Sequence, residues 1–107
     1  MTMQAVITTV DSLDKAQQIA AVLVERKLGA CVQISRISSV YVWEGETRND
    51  DEYRLLAKTR RDRYPDVEAA ILEVHPYELP AIFAIDIANA YGPYAEWVLE
   101  NAAGGSD

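Results

Sequence analysis

The stretch ACVQISRISSVYVWEGETRNDDEYRLLAKT, residues 30–59, carries the reading that decides the fold, a β-hairpin with unusually long arms. From Ala30 to Trp43 the pattern has period two: Ala30, Val32, Ile34, Val40 and Val42 share one parity, Cys31, Gln33, Ile37, Tyr41 and Trp43 the other. Both faces are partly apolar. The polar interruption SRISS at 35–39 predicts a bulge or bend, because strand-forming residues resume at once in VYVW. EGETRNDDE at 44–52 supplies the turn, and a second strand runs to about Thr59, with Tyr53, Leu55 and Ala57 alternating against Arg54, Leu56 and Lys58. Arms of roughly a dozen residues exceed the usual strand of ~5–6.

Upstream, the β-branched run from Met3 to Val10 predicts a strand, and Asp11 and Ser12 are N-cap candidates for a helix. In that helix Leu13, Ala16, Ile19, Ala20, Leu23 and Leu28 form one apolar stripe, and Gly29 stands where a C′ glycine belongs. Downstream, a second helix starts near Asp62, carries Pro65 in its first turn and buries Val67, Ala70, Ile71 and Val74 until Pro76 stops it. AIFAIDIA at 81–88 reads as a short buried strand. Gly92-Pro93 opens a third helix whose inward face would hold Tyr94, Trp97 and Val98.

The order β-α-β-β-α-β plus a C-terminal helix is an α+β, ferredoxin-like sandwich with helices on one face of an antiparallel sheet. Such a sheet leaves its other face bare, yet that parity includes Ile37, Tyr41, Trp43 and Leu56. Exposed aromatic surface on overlong strands predicts a homo-oligomer, sheet faces meeting and arms pairing between copies.

Composition narrows the function. Half of the 107 residues are hydrophobic, enough for one small domain over residues 1–103, with 104–107 expected as a flexible tail. Carboxylates outnumber lysines and arginines 17 to 10, for a net charge of −7. That balance removes the electrostatic footprint of a nucleic-acid binder and suits a cation or cationic partner. One cysteine excludes an intrachain disulfide. With no basic n-region at the amino terminus and no window near the ~20 apolar residues of a span, the expectation is a cytoplasmic protein with no membrane partner.

The chemistry-bearing residues are few. His75 is the only histidine, at a helix end where it can meet the last carbonyls, or else serve as a metal ligand or an acid–base group. Cys31 is a small buried hydrophobe or a soft metal ligand. The acidic residues Glu44, Glu46, Asp50, Asp51 and Glu52 lack the spacing of a calcium loop and read as a solvated turn. Trp43, Tyr77, Tyr94 and Trp97 pack in a core or interface, or line a ligand pocket with Lys58 as anchor for an anionic group and Glu78 nearby. No Ser-His-Asp or Cys-His set, phosphate loop, RNA-stacking aromatics or CxxC is recognisable, so no catalytic residue is assigned and an enzyme is not expected.

Five segments, ERKLGACVQI at 25–34, SVYVWEGE at 39–46, LLAKTR at 55–60, HPYELP at 75–80 and YAEWV at 94–98, together resemble the divalent-cation tolerance protein CutA family. The resemblance spans residues 4–101. It implies a ferredoxin-like protomer in a homotrimer similar to the PII signalling proteins, associated with tolerance to copper and other divalent cations. It also implies copper or another divalent cation as a bound ion that the fold does not need. In members with a proposed copper site the ligands are a cysteine late in the first strand and two consecutive histidines before the PY. Here Thr8 and Val74 stand at two of those positions and only His75 matches; Cys31 matches a different family cysteine. A small-ligand sensor or interaction scaffold of PII-like architecture is the alternative.

Overall fold

The computed structural model describes residues 2–104. Its elements are β1 (Met3–Val10), α1 (Leu13–Glu25), β2 (Cys31–Trp43), β3 (Glu46–Arg60), α2 (Tyr64–Val74), β4 (Ile82–Asp86) and α3 (Gly92–Asn101). The four strands form one antiparallel sheet in the order β2-β3-β1-β4, the ferredoxin-like arrangement that alternation and connection rules predict.

The hairpin is more regular than its sequence suggests. Pairing runs without a break from Cys31 opposite Lys58 to Trp43 opposite Glu46, so SRISS neither bulges nor bends out of register. Two of its polar side chains pair across the ladder: Ser38 Oγ donates to Asn49 at 3.2 Å and Arg36 pairs with Asp51 at 3.0 Å. The turn is only Glu44-Gly45, whose φ angles of 51° and 81° are the signature of a type I′ hairpin turn. Residues 46–52, expected in the loop, are therefore strand. This part of the hairpin extends beyond β1, where no helix imposes an apolar face and polar residues can alternate freely. Glu44 bears a left-handed conformation that asparagine tolerates better. Glu44→Asn is expected to stabilise by about 0.5 kcal/mol in thermal unfolding, and Gly45→Ala to destabilise.

One sheet face carries the core. Val6, Val10, Leu55 and Ala57 pack against Ile19 and Leu23 of α1 and Val67 and Ile71 of α2. Ser12 caps α1 by accepting the Lys15 N–H at 3.2 Å. The left-handed residue after α1 is Lys27, φ 57°, not the expected Gly29. Gly29 instead sits in close packing, where a Cβ would lie 3.3 Å from Val32 Cγ2 and press on that side chain. A 3-10 turn, Arg61–Arg63, occupies the expected start of the second helix, and Pro65 takes its place in the first turn of α2.

Thr8 lies within this core at 1% exposure, and its hydroxyl has no hydrogen-bond partner among the described residues. An unpaired buried hydroxyl costs about 1–3 kcal/mol, so the near-isosteric Thr8→Val is expected to stabilise by about 1 kcal/mol, read as a rise in melting temperature.

The opposite face carries Met3, Ala5 and Ile7, all buried, and α3 packs against β1 and β3. Val98 of α3 is fully buried as expected, but Trp97 is 44% exposed, with Phe83 and Ile85 of β4 also uncovered. On the hairpin extension Val40 and Val42 are exposed because neither α1 nor α2 reaches that far. Gly104 donates its N–H to the Lys27 carbonyl at 2.9 Å, so the expected tail begins tied down; residues 105–107 lie outside the described residues.

Candidate functional site

The HPYELP segment owes its shape to three contacts. His75 ends α2 with extended backbone angles, φ −76° and ψ 132°, which the following proline enforces. Its Nδ1 accepts the Tyr77 N–H at 3.1 Å, which places the imidazole proton on Nε2, and Nε2–H donates to the Thr9 carbonyl at 2.8 Å. The Tyr77 hydroxyl then donates to Glu52 at 2.7 Å, joining the segment to the hairpin. Burial pushes the Tyr77 hydroxyl's ionisation well up, with the Glu52 hydrogen bond and charge adding to the effect.

Between this segment and the hairpin lies a cavity of about 610 Å³, lined on the hairpin side by Tyr41, Trp43, Arg48 and Glu52 and on the loop side by Tyr77 and Glu78. Even-numbered β3 residues and odd-numbered β2 residues share this face through the register, which is why Tyr41 stands opposite Arg48. Glu52 is 7% exposed, a rare burial for a carboxylate, whereas Asp50 receives the Tyr41 hydroxyl at 2.5 Å.

The structure divides the six expected pocket residues. Trp43, Tyr77 and Glu78 line the cavity. Lys58, Tyr94 and Trp97 form a separate group: the Lys58 ammonium sits 5.4 Å from the Tyr94 ring centroid, and Tyr94 stacks on Trp97 at 5.8 Å. Glu52 and Arg48 were missed as lining residues because the long turn assigned to 44–52 hid their parity, and continuing the period-two pattern past Gly45 finds both; Tyr41 already shared the parity of Trp43 and was read only as exposed aromatic surface.

The two candidate metal ligands are not brought together within one chain. His75 is anchored at Thr9, which pairs with Arg54, whereas half-buried Cys31 pairs with Lys58, four residues or ~13 Å along β3. Both imidazole nitrogens are engaged with the backbone. Among the described residues no group of three or more His, Cys, Asp or Glu side chains could hold a metal ion.

Comparison with known proteins follows the same outline. The family described as CutA1 divalent ion tolerance protein matches residues 4–101. The divalent-cation tolerance protein CutA of Thermus thermophilus is 39% identical over 99 residues, 92% of this chain and 96% of that protein. The crystal structure of CutA1 from Oryza sativa superposes with a TM-score of 0.91 at 30% identity, covering 94% of each chain. The structure described as the periplasmic divalent cation tolerance protein CutA from Archaeoglobus fulgidus gives a TM-score of 0.91 at 33% identity over 94% of this chain and 98% of that one. Sequence and three-dimensional superposition agree, and the chain belongs to the CutA1 divalent ion tolerance family.

Proposed function

We propose that this protein is a non-catalytic, cytoplasmic component of divalent-cation tolerance that works as a homotrimer, with copper or another divalent cation as the ion it meets. The family's name supports the association with divalent cations. The observation that carries assembly is the uncovered apolar surface: Phe83 and Ile85 of β4 with Trp97 of α3, and Val40 and Val42 on the hairpin extension. A single chain leaves Cys31 and His75 apart, so the proposed ion site draws donors from more than one copy. The lone thiol suits a reducing compartment; recovery in a periplasmic fraction would overturn the cytoplasmic setting.

Isothermal titration of Cu²⁺, Cu⁺ and Zn²⁺ into the full-length protein, alongside Cys31→Ser and His75→Ala, tests the ion site. The expected result is heat for at least one ion, with affinity reduced about tenfold or more in each variant. Unchanged affinity in both removes these two donors. The cavity favours a second reading, a small-ligand sensor, because aromatic walls and charges of both signs converge there. A metabolite thermal-shift screen tests it, since a ligand preferring the folded assembly raises its melting temperature.

A further inference from the structure

Resting on the small-ligand reading, we infer that this cavity is built for a small zwitterion on an apolar or aromatic frame, the chemical class of the free apolar amino acids. Glu52 supplies the first argument. The residue is 7% exposed; one oxygen takes the Tyr77 hydroxyl at 2.7 Å, and the other, which accepts no hydrogen bond among the described residues and is not a buried atom, is left accessible at the cavity. A carboxylate held at a cavity wall by a single neutral donor keeps an oxygen free to accept, and an ammonium group is the charged donor that matches it. Glu78 lines the same cavity and adds a second negative charge.

Arg48 supplies the second argument. It lines the cavity, and among the described residues no carboxylate lies within 4.0 Å of it; the nearby Asp50 is taken by Tyr41. A ligand with only a cationic end would meet Arg48 as a like charge, and one with only an anionic end would meet Glu52 and Glu78. A molecule bearing both charges satisfies both. Arg48 and Glu52 stand four residues apart on one strand face, ~13 Å between backbones, and both line the same cavity. Tyr41 and Trp43 supply the apolar wall, and about 610 Å³ falls within the ~300–1,000 Å³ typical of small-molecule sites. The guanidinium also works against a bare divalent cation at this position.

The test is isothermal titration of the full-length protein in its native assembly with L-phenylalanine and L-leucine, set against phenethylamine, phenylacetate and ZnCl₂. The amino acids are expected to bind, and each half-molecule about tenfold more weakly or worse. Arg48→Gln should cost L-phenylalanine about tenfold while leaving phenethylamine unweakened or tighter. Glu52→Gln, which keeps an acceptor for Tyr77, should weaken both amines and spare phenylacetate; Glu78→Gln, on the exposed loop, repeats the measurement without touching a buried group. Phenethylamine or phenylacetate binding as well as L-phenylalanine overturns the zwitterion, and so does ZnCl₂ displacing the amino acid. If no amino acid binds but another compound in the metabolite screen protects the protein, the zwitterion falls and the ligand site stands. Silence in both experiments overturns both.

Discussion

Replacing Tyr77 with phenylalanine is expected to lower stability by about 2 kcal/mol, among the largest effects of any substitution that leaves the core volume unchanged. The phenol is the only side-chain donor that Glu52 has among the described residues, and Glu52 is 7% exposed. Removing it leaves a buried carboxylate unpaired, whereas removing both partners, as in Tyr77→Phe with Glu52→Leu, should recover most of the loss. Denaturant unfolding of the two variants measures the difference; a Tyr77→Phe change below about 0.5 kcal/mol would mean that water compensates Glu52 instead. The alkaline limb carries a second readout. Folding raises Tyr77's ionisation above the ordinary value of 10.0, so the folded state holds its proton more tightly. That contribution is fully present below about pH 10 and is lost as pH rises through the folded value, so wild-type stability falls on that side and Tyr77→Phe falls less steeply. Tyr41, chiefly through its hydrogen bond to Asp50, and Tyr64, chiefly through burial and then its hydrogen bond to Glu68, are raised in the same direction, so part of the slope persists in the variant.

The same contact explains what was legible in the sequence. Val6, Leu55, Ile19 and Ile71 announce their burial through periods of 2 and 3.6, because helices cover that face and impose an apolar pattern on it. Where nothing covers the sheet the pattern fades: Asp50, Asp51 and Glu52 spell a loop by composition, yet sit in an unbroken ladder because cross-strand pairs such as Arg36–Asp51 replace apolar contacts. Turn chemistry misled in a related way. Asn49-Asp50 looks like a turn, while the real one uses Glu44 at positive φ, a conformation that Gly45 beside it makes accessible. His75 illustrates the remaining limit. Its position at a helix end followed from Pro76, but its two partners, the Thr9 carbonyl and the Tyr77 N–H, are backbone groups, one of them 66 residues away, and no side-chain pattern encodes them.

Charging the uncovered face of β4 is expected to dissolve the proposed homotrimer without unfolding the protomer. Phe83 and Ile85 pair with Ile7 and Ala5 of β1 and point to the face away from α1 and α2, while their neighbours Ile82 and Ala84 turn into the core. At 48% and 53% exposure they give little to the isolated fold and lose little from it when replaced. In an assembly built on this face each would be desolvated, and a glutamate at either position places an unpaired charge there once per copy, at several kcal/mol each. Sedimentation equilibrium of Phe83→Glu/Ile85→Glu at micromolar concentration should therefore give the protomer mass where the proposed homotrimer predicts three times that value for the unaltered protein, with the far-ultraviolet circular dichroism retained. Val40→Lys/Val42→Lys on the hairpin extension separates two modes of association. If arm pairing contributes, this pair also shifts the mass toward the protomer; if β4 and α3 alone make the contact, the mass is unchanged. A multimer that survives both pairs of substitutions would place the contact elsewhere and remove the uncovered face as the reason for assembly.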